Sequence, residues 1–339
     1  MSTKENTFKN LIGKNGRALG SLGYFIILML VFLIGAPEVM MRPNLHQSVF
    51  VMLPVIMFMV IPLVFLVTAG EIDLSFASTF GLSAYIFALL LKAGLDPLLC
   101  ILIGILSGAV VGILMGCLVV YGRLSSLVAS LGALFFIRGF LFVASDSKSI
   151  SFMEISDHWI YDVLVGKLFG VPMQVYWAAL FTIFSYYLYR KHVFGIHIHH
   201  VGDNPDSAAQ MGINVNWVRI SAFMYVGLGA ALAGIFSCLI NFTWWPTQGF
   251  GYLLLALAAV FIGGTPTWGG VGTIVGAVFG VGVIAYMEVG VVAMGMSGVW
   301  RQFFNGLIII LAILGHRFHG GRVRSVSYTH LTLPTNDRV

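Results

Sequence analysis

The side chains of this 339-residue chain that could do chemistry are few, and two acids in one polar segment stand out. Glu71 and Asp73 lie in Gly-Glu-Ile-Asp-Leu-Ser, residues 70–75, which joins two apolar runs. Acids beside apolar runs are costly unless they face water, protein or a cavity, so they could bind a proton or Na⁺, or line a path for a polar solute. Gly70 lets a helix break here, and Asp73 and Ser75 could cap the helix that follows. Two interpretations stay open: a broken helix that lines a translocation pathway, and a capped turn at the cytoplasmic surface.

A second polar segment occupies the matching place in the C-terminal half. Residues 263–270, Gly-Gly-Thr-Pro-Thr-Trp-Gly-Gly, also separate two apolar runs and also combine glycines with hydroxyl side chains. Interrupted hydrophobic segments in corresponding halves are typical of internally duplicated transporters, whose binding site lies between the halves. The predicted pathway residues are Glu71, Asp73, Ser75, Gly264 and Thr265.

Motifs that would indicate an enzyme are missing from the sequence. It has no Gly-x-x-x-x-Gly-Lys-Ser/Thr phosphate loop, no His-Glu-x-x-His and no Gly-x-Ser-x-Gly. His197, His199 and His200 could bind a metal, although a solvated loop is the simpler interpretation, and the three cysteines lie in apolar runs as packing residues. We therefore expect a chain with no catalytic residues, no metal and no cofactor of its own.

Other polar and aromatic residues have competing interpretations. Arg138 lies inside an apolar run, where it could pair with Asp73 or cap a backbone carbonyl, and Glu288 is expected near the outer surface. Three aromatic residues fall at a predicted outer boundary: Trp244, Trp245 and Phe250. Such residues form interfacial belts in membrane proteins, and stacking against a sugar ring is the alternative.

The composition indicates which elements must position these groups. Of the residues, 59% are hydrophobic and 9% are charged, against about 25% charged in soluble domains. Lipid must therefore be the solvent for most of the surface, and the 40 glycines suit closely packed membrane helices. The net charge of +5 comes from basic residues at the chain ends and between apolar runs, a pattern of membrane orientation and not of nucleic-acid binding.

The apolar runs predict an all-α polytopic membrane protein with about ten spanning helices. They show no alternation of period two, so helices are favoured over a barrel. Eight runs are long enough to span: 20–36, 49–69, 75–93, 97–121, 126–144, 174–190, 217–241 and 270–291. Two shorter ones lie near 249–265 and 299–316. Basic residues before the first run, at Arg123, at Arg190 and Lys191, and after His316 put both termini in the cytoplasm if the number of spans is even.

The loop at about 190–216 carries its own helix signature. Asp203 or Asn204 can cap a helix, Pro205 and Asp206 suit its first turn, and Gly212 can end it. A two-turn helix is predicted at 204–213, with the small side chains Ala208 and Ala209 free for close packing. A plain surface helix is the alternative interpretation.

Three segments of the sequence together carry a family resemblance. Residues 70–75, 204–213 and 263–270 resemble the Gly-Gly-Ile-Asp-Leu-Ser, Asn-Pro-x-Ala-Ala…Gly-Ile and Gly-Gly-Thr…Gly-Gly segments of ATP-binding-cassette importer permeases, in the branch for ribose, other monosaccharides and autoinducer-2. The chain departs from them at Glu71, which replaces a glycine, and at Ser207, which is an additional residue. The stretch that starts at Ser130 is also similar, and the resemblance covers roughly residues 45–316.

This resemblance implies a permease subunit for a monosaccharide or similar small polar solute in a bacterial-type inner membrane. It implies cytoplasmic ATPase subunits that use ATP, a second identical or homologous permease subunit, and an extracytoplasmic solute-binding protein. The ATPase would couple through Asn204, Pro205, Ala208, Ala209 and Gly212. A branched-chain amino-acid or nucleoside permease remains an alternative. A further alternative is an ion-coupled carrier that uses Glu71, Asp73 and Glu288; an intramembrane enzyme lacks a catalytic constellation.

The predicted organisation is one membrane domain between two ends of different origin. Residues 1–19 form a cytoplasmic N-terminal segment, 20–316 the transmembrane permease domain, and 317–325 a cytoplasmic tail. Residues 326–335, Val-Ser-Tyr-Thr-His-Leu-Thr-Leu-Pro-Thr, resemble the translation of a sequencing adapter. We therefore expect 326–339 to be read-through that takes no part in the fold.

Overall fold

The protein is all-α, and its helices follow the predicted apolar runs closely. The computed structural model describes the backbone of residues 2–319 and the side chains of residues 16–307, 310, 311 and 314. The expectation for 326–339 lies outside the described residues, as does the predicted tail from residue 320. The helices are α1 (Ser2–Gly35), α2 (Pro37–Met40), α3 (Pro43–Thr68), α4 (Phe76–Lys92), α5 (Pro97–Gly122), α6 (Ser126–Ala144), α7 (Trp159–Val165), α8 (Met173–Arg190), α9 (Val193–Asp203), α10 (Pro205–Gln210), α11 (Val215–Asn241), α12 (Tyr252–Ile262), α13 (Ile274–Ala293) and α14 (Val299–His319).

Among the residues that the structure describes, six helical segments are long and apolar enough to cross a membrane: Gly16–Gly35 of α1, and α3, α5, α6, α11 and α13. The predicted all-α polytopic class is thereby confirmed, whereas a count of ten spans stays a prediction. Two further apolar helices are short, with 17 residues in α4 and 11 in α12. At 1.5 Å per residue α12 is about 16 Å long, about half of the hydrocarbon core of a bilayer, so it cannot cross alone.

Glycines let α5 and α11 pack backbone against backbone. A Cβ on Gly108 would overlap the carbonyl oxygen of Gly227, and one on Gly112 would overlap that of Phe223. Gly112 follows Gly108 by four positions, so both lie on one face of α5. Close approach of this kind replaces the hydrophobic effect as the source of helix association within lipid.

Helix α3 forms the centre of the core. Its side chains from Val55 to Thr68 are buried, and its rings pack against those of α8 and α11. Phe58 stacks on Phe236 at 5.0 Å, and Phe65 meets Tyr189 edge-on at 5.0 Å between ring centroids. The break after Thr68 is therefore attached directly to the buried core of the protein.

The segment between α6 and α8 contains the short helix α7. There α7 follows a 3₁₀ turn, Met153–Asp157, and the strand β1 (Ile150–Ser151). A small hairpin, β2 (Lys167–Leu168) and β3 (Val171–Pro172), leads into α8. Antiparallel pairing joins β1 to β4 (Thr243–Trp244), the segment that follows α11.

Candidate functional site

The first interrupted segment begins where α3 ends in a left-handed glycine. Gly70 has φ +85°, and the amides of Gly70 and Glu71 donate to the carbonyls of Val67 and Leu66. This pairing is the Schellman motif, which satisfies the free carbonyls at a helix end. The helix therefore stops because the backbone turns back on itself, and the five residues 71–75 lead to α4.

Asp73 caps α4 from inside the protein. Its Oδ1 accepts hydrogen bonds from the Ser75 amide at 2.7 Å and the Ser75 hydroxyl at 2.6 Å. Ser75 itself makes no capping bond, so only one of the two predicted caps forms. Asp73 is 2% exposed and Ser75 is fully buried, which excludes a solvated surface turn. The Ile72 amide donates to the Ser126 hydroxyl at 3.2 Å, which holds the segment against the start of α6.

Glu71 has a cationic partner that the sequence did not reveal. Arg219, in the second turn of α11, places its Nε 3.1 Å from Oε1 of Glu71. That Nε makes no hydrogen bond, so the contact is an ion pair held by charge. Arg219 neutralises the charge by which this chain departs from the resembled segment.

The second interrupted segment repeats the geometry of the first. Gly264 has φ +88°, and the amides of Gly264 and Thr265 donate to the carbonyls of Phe261 and Val260. Thr265 is fully buried. Thr273 then caps α13 by accepting from the Gly276 amide at 3.2 Å. A Schellman motif therefore ends the helix before each interrupted segment: α3 before 70–75 and α12 before 263–270. We call these two segments the two breaks.

The predicted helix at 204–213 forms as α10, with the predicted ends. The Asn204 side chain accepts from the Ser207 amide at 3.0 Å, and Pro205 occupies the first turn. Gly212 ends the helix at φ +81°, in a third Schellman motif. These capping predictions are confirmed.

One feature of α10 corrects the sequence prediction. Ala208 is fully buried, and it packs into the same core cluster as α3 and α9. Ala209 is exposed. Consecutive residues of a helix point about 100° apart, so only Ala209 of the predicted pair is available to a partner. The structure also adds α9, an 11-residue helix directly before α10.

The two breaks and α9 meet at one junction of glycine backbones. The Gly270 amide donates to the carbonyl of Thr68, the last residue of α3, at 2.8 Å. A Cβ on Gly202, near the end of α9, would overlap that carbonyl oxygen and would lie 2.6 Å from the Gly270 nitrogen. Gly70 and Gly269 complete the contact. We call Gly70, Gly202, Gly269 and Gly270 the glycine junction.

One histidine of α9, His199, contacts this junction. Nδ1 of His199 lies 2.9 Å from the Gly270 carbonyl oxygen, and its ring meets that of Tyr189 edge-on at 4.7 Å. Burial lowers the pKa of His199, so the neutral ring donates from Nδ1 to the carbonyl. Within the described part of the chain, no three His, Cys, Asp or Glu side chains are grouped as metal ligands.

Arg138 caps backbone carbonyls, which is one of the two roles predicted for it; the other was pairing with Asp73. Its guanidinium donates to the oxygens of Pro246 at 2.6 Å, Gln248 at 2.9 Å and Ala77 at 3.0 Å. Since Arg138 is twelve residues into α6, it lies about 18 Å from the start of that helix at 1.5 Å per residue. It therefore joins the first turn of α4 to the chain after α11 well inside the membrane-spanning layer.

That connection reveals a third interruption, which the sequence analysis missed. After α11 ends at Asn241, the chain folds back, and the Gln248 side chain donates to the Ser237 hydroxyl at 3.1 Å. Residues 242–251 thus return alongside α11 before α12 begins. The run predicted at 249–265 is a short helix preceded by this re-entrant segment.

The re-entrant segment also corrects the aromatic prediction. Trp244 is completely buried and donates from Nε1 to the Gly81 carbonyl at 2.9 Å, so it belongs to no interfacial belt and no solute reaches it. Phe250 is 51% exposed, with the Arg138 guanidinium 5.9 Å from the centre of its ring.

Glu288, the remaining acid of interest, is paired at the far end of α13. Its carboxylate accepts from Arg301 at 3.2 Å and from the Asn305 amide at 2.7 Å. These bonds tie α13 to α14 and leave the acid with a cation and a donor.

Comparisons with known proteins agree with this architecture. A sequence model of the family described as branched-chain amino acid transport system / permease component matches residues 46–313. The ribose import permease of Bacillus subtilis is 30% identical over 251 residues, which are 74% of this chain and 77% of that protein. The autoinducer 2 import system permease of Salmonella typhi is 29% identical over 88% of this chain and 84% of its own. The L-arabinose ABC transporter permease of Azospirillum brasilense is 26% identical over 91% and 89%.

The family match covers most of the chain, and the relatives belong to the branch that the three segments resemble. The prediction of a transport subunit in place of an enzyme is confirmed by the same matches. The chain is a member of the permease-component family of ATP-binding-cassette transport systems, and it is a multi-pass membrane protein.

Proposed function

We propose that this protein is the membrane subunit of an ATP-driven importer for a monosaccharide or a similar small polar solute. One observation carries the proposal. Both interrupted segments touch α9, and α9 leads directly into α10, whose Ala209 faces outward. The continuous pair α9–α10 contacts both breaks at one end and exposes a small side chain at the other. It is therefore suited to transmit a displacement from a docked partner to the pathway.

The solute class comes from the relatives. Their names give ribose, L-arabinose and autoinducer 2 as solutes, all of them small and polar. A polar solute needs a path of backbone and hydroxyl groups through the apolar core. Glu71, Asp73, Ser75, Gly264 and Thr265 are proposed to flank that path, with the re-entrant segment 242–251 as its outer part.

The proposed topology has ten spans and both termini in the cytoplasm of a bacterial-type inner membrane. Each of α1, α3, α4, α5, α6, α8, α11, α13 and α14 counts as one span. The tenth is the re-entrant segment together with α12, because neither is long enough alone. This count puts α9, α10 and the glycine junction on the cytoplasmic side, and 145–172 outside.

The proposed assembly contains two permease subunits, identical or homologous, two cytoplasmic ATPase subunits and an extracytoplasmic solute-binding protein. ATP is bound by the ATPase subunits, and this chain holds no cofactor. The coupling surface is α10, with Asn204, Pro205 and Gly212 fixing its ends and Ala209 at the contact. Ala208 contributes from inside by anchoring α10 to the core.

A branched-chain amino-acid permease is the second candidate, since the family description names that substrate. The experiment that decides uses proteoliposomes that contain the permease, its ATPase and its binding protein. Uptake of radiolabelled D-ribose, L-arabinose and L-leucine is measured with and without ATP. We expect ATP-dependent uptake of a sugar and none of leucine. Leucine uptake alone would favour the second candidate, and uptake without the ATPase would favour an ion-coupled carrier.

Ala209→Glu tests the coupling surface in the same assay. A carboxylate on the exposed side of α10 should block docking, so co-purification with the ATPase and sugar uptake should fall together. Ala93→Glu is the matched control, because Ala93 is also exposed but lies at the opposite end of α4 from the breaks. Normal uptake by Ala209→Glu would contradict a docking role for α10.

A further inference from the structure

The glycine junction leaves no compressible side chain between α9 and the two breaks. Gly202 meets Thr68 and Gly270 through backbone atoms alone. Packed interiors respond to displacement by shifting between discrete arrangements and not by yielding gradually. A displacement of α9 must therefore move the end of α3 and the segment before α13 together.

Two side chains hold the junction closed, and the direction of each hydrogen bond follows from the geometry. The Thr68 hydroxyl donates its one proton to the Val64 carbonyl at 2.6 Å. The Tyr189 hydroxyl, 2.7 Å away, must therefore donate to Thr68. His199 donates to the Gly270 carbonyl. The rings of Tyr189 and His199 meet edge-on, so one pair of contacting rings binds the end of α3 and the 263–270 segment.

The Tyr189 hydroxyl pair is one of two similar pairs on α8. One turn earlier, the Ser185 and Tyr225 hydroxyls lie within hydrogen-bond distance and are buried in the same core. That pair links α8 to α11 and touches neither break. Both are buried pairs of a tyrosine hydroxyl with a Ser or Thr hydroxyl, but only the Tyr189 pair reaches the end of α3.

We infer that Tyr189, His199 and Gly202 form a clamp that converts movement of α10 into joint movement of both interrupted segments. The inference rests on the proposed ATP-driven import and adds positioning residues to it. The clamp touches neither solute nor ATPase; it acts by keeping α9, the 70–75 segment and the 263–270 segment in one rigid unit.

The first test measures sugar transported per ATP hydrolysed in proteoliposomes with the ATPase and the binding protein, with D-ribose and L-arabinose as probes. Tyr189→Phe removes the hydroxyl and keeps the ring. We expect this ratio to fall about fivefold, the factor that corresponds to about 1 kcal/mol for one hydrogen bond, with co-purification of the ATPase unchanged. Gly202→Ala should lower the ratio further. Tyr225→Phe is the control and should leave it at the wild-type value.

Two results would overturn the clamp. One is an equal ratio in Tyr189→Phe and Tyr225→Phe, which would make the Tyr189 hydroxyl an ordinary core group. The other is loss of ATPase co-purification in Tyr189→Phe, which would make it a docking residue. Absence of ATP-driven uptake in the wild-type protein is a different failure, because it contradicts the proposed function itself.

A second test needs no transported solute. Spin labels at the exposed positions Ser207 and Thr267 report the distance between α10 and the second break, after the three native cysteines are replaced by alanine. In the complex with the ATPase, the wild-type distance should be the same without nucleotide and with ATP plus vanadate, because the clamp moves as one unit. Gly202→Ala should broaden or shift it. A wild-type distance that changes between the two states would refute the clamp.

Discussion

The Glu71–Arg219 ion pair offers a sharp test of how this protein uses its acids. Glu71→Gln and Arg219→Met each remove one charge, and the double variant removes both. The side chains of Glu71 and Arg219 are 11% and 28% exposed, so the pair is neither fully exposed nor fully buried. Exposed pairs contribute at most about 1 kcal/mol, and breaking a buried pair costs about 3–5 kcal/mol. Each single variant should therefore be destabilised by about 1–3 kcal/mol, a value between those limits.

The double variant should recover most of that loss, because no unpaired charge remains. The assay is thermal unfolding of the four purified proteins in one detergent, with the melting temperatures compared as a double-mutant cycle. A double variant whose loss equals the sum of the single losses would refute coupling between the two side chains.

Uptake by the same four proteins distinguishes transport driven by a proton or Na⁺ gradient from transport driven by ATP. If Glu71 exchanged protons or Na⁺, Glu71→Gln would abolish uptake at normal protein levels and Arg219→Met would not restore it. In an ATP-driven importer, uptake should follow the amount of folded protein in all three variants.

Three further outcomes are expected. Gly112→Ala should lower the melting temperature, since the added methyl overlaps a carbonyl of α11 and overpacking costs about 1–3 kcal/mol; Gly132→Ala, which meets nothing within 4 Å, should not. Arg138→Met removes the guanidinium donor from three buried carbonyls, at up to about 1–3 kcal/mol each, and should make the 242–251 segment sensitive to protease; resistance equal to wild type would contradict a role for Arg138 in holding that segment. A single cysteine at Lys148 should react with an impermeant maleimide added outside intact cells, and one at Asp206 only after permeabilisation; the reverse pattern would invert the proposed topology.

Local signals in the sequence were sufficient wherever a feature depends on neighbouring residues. Asn204 and Gly212 delimit α10 because capping acts within one turn. Gly70 and Gly264 mark the breaks for the same reason. The alternation of apolar runs and polar segments likewise predicts the all-α membrane class.

Features that depend on distant residues could not be found this way. Arg219 meets Glu71 across 148 residues, and Tyr189 meets Thr68 across 121, so no spacing rule connects them. The sequence predicts a place at the membrane boundary for Trp244, because nothing local shows that its strand pairs with β1. It predicts a docking face that includes Ala208, because it does not show which side of a six-residue helix faces the core.

The three acids that an ion-coupled carrier would need are already committed to other partners. Glu71 contacts Arg219, and Glu288 contacts Arg301 and Asn305. Oδ1 of Asp73 accepts a hydrogen bond from the Ser75 amide at the start of α4. A carrier site must release and rebind its ion in each cycle, and a carboxylate that already holds a cation or a helix end would have to break that contact every time. The energy for transport is better supplied from outside the membrane layer. The glycine junction provides the route, since it joins α9, which leads into α10 and its exposed Ala209, to the 70–75 and 263–270 segments.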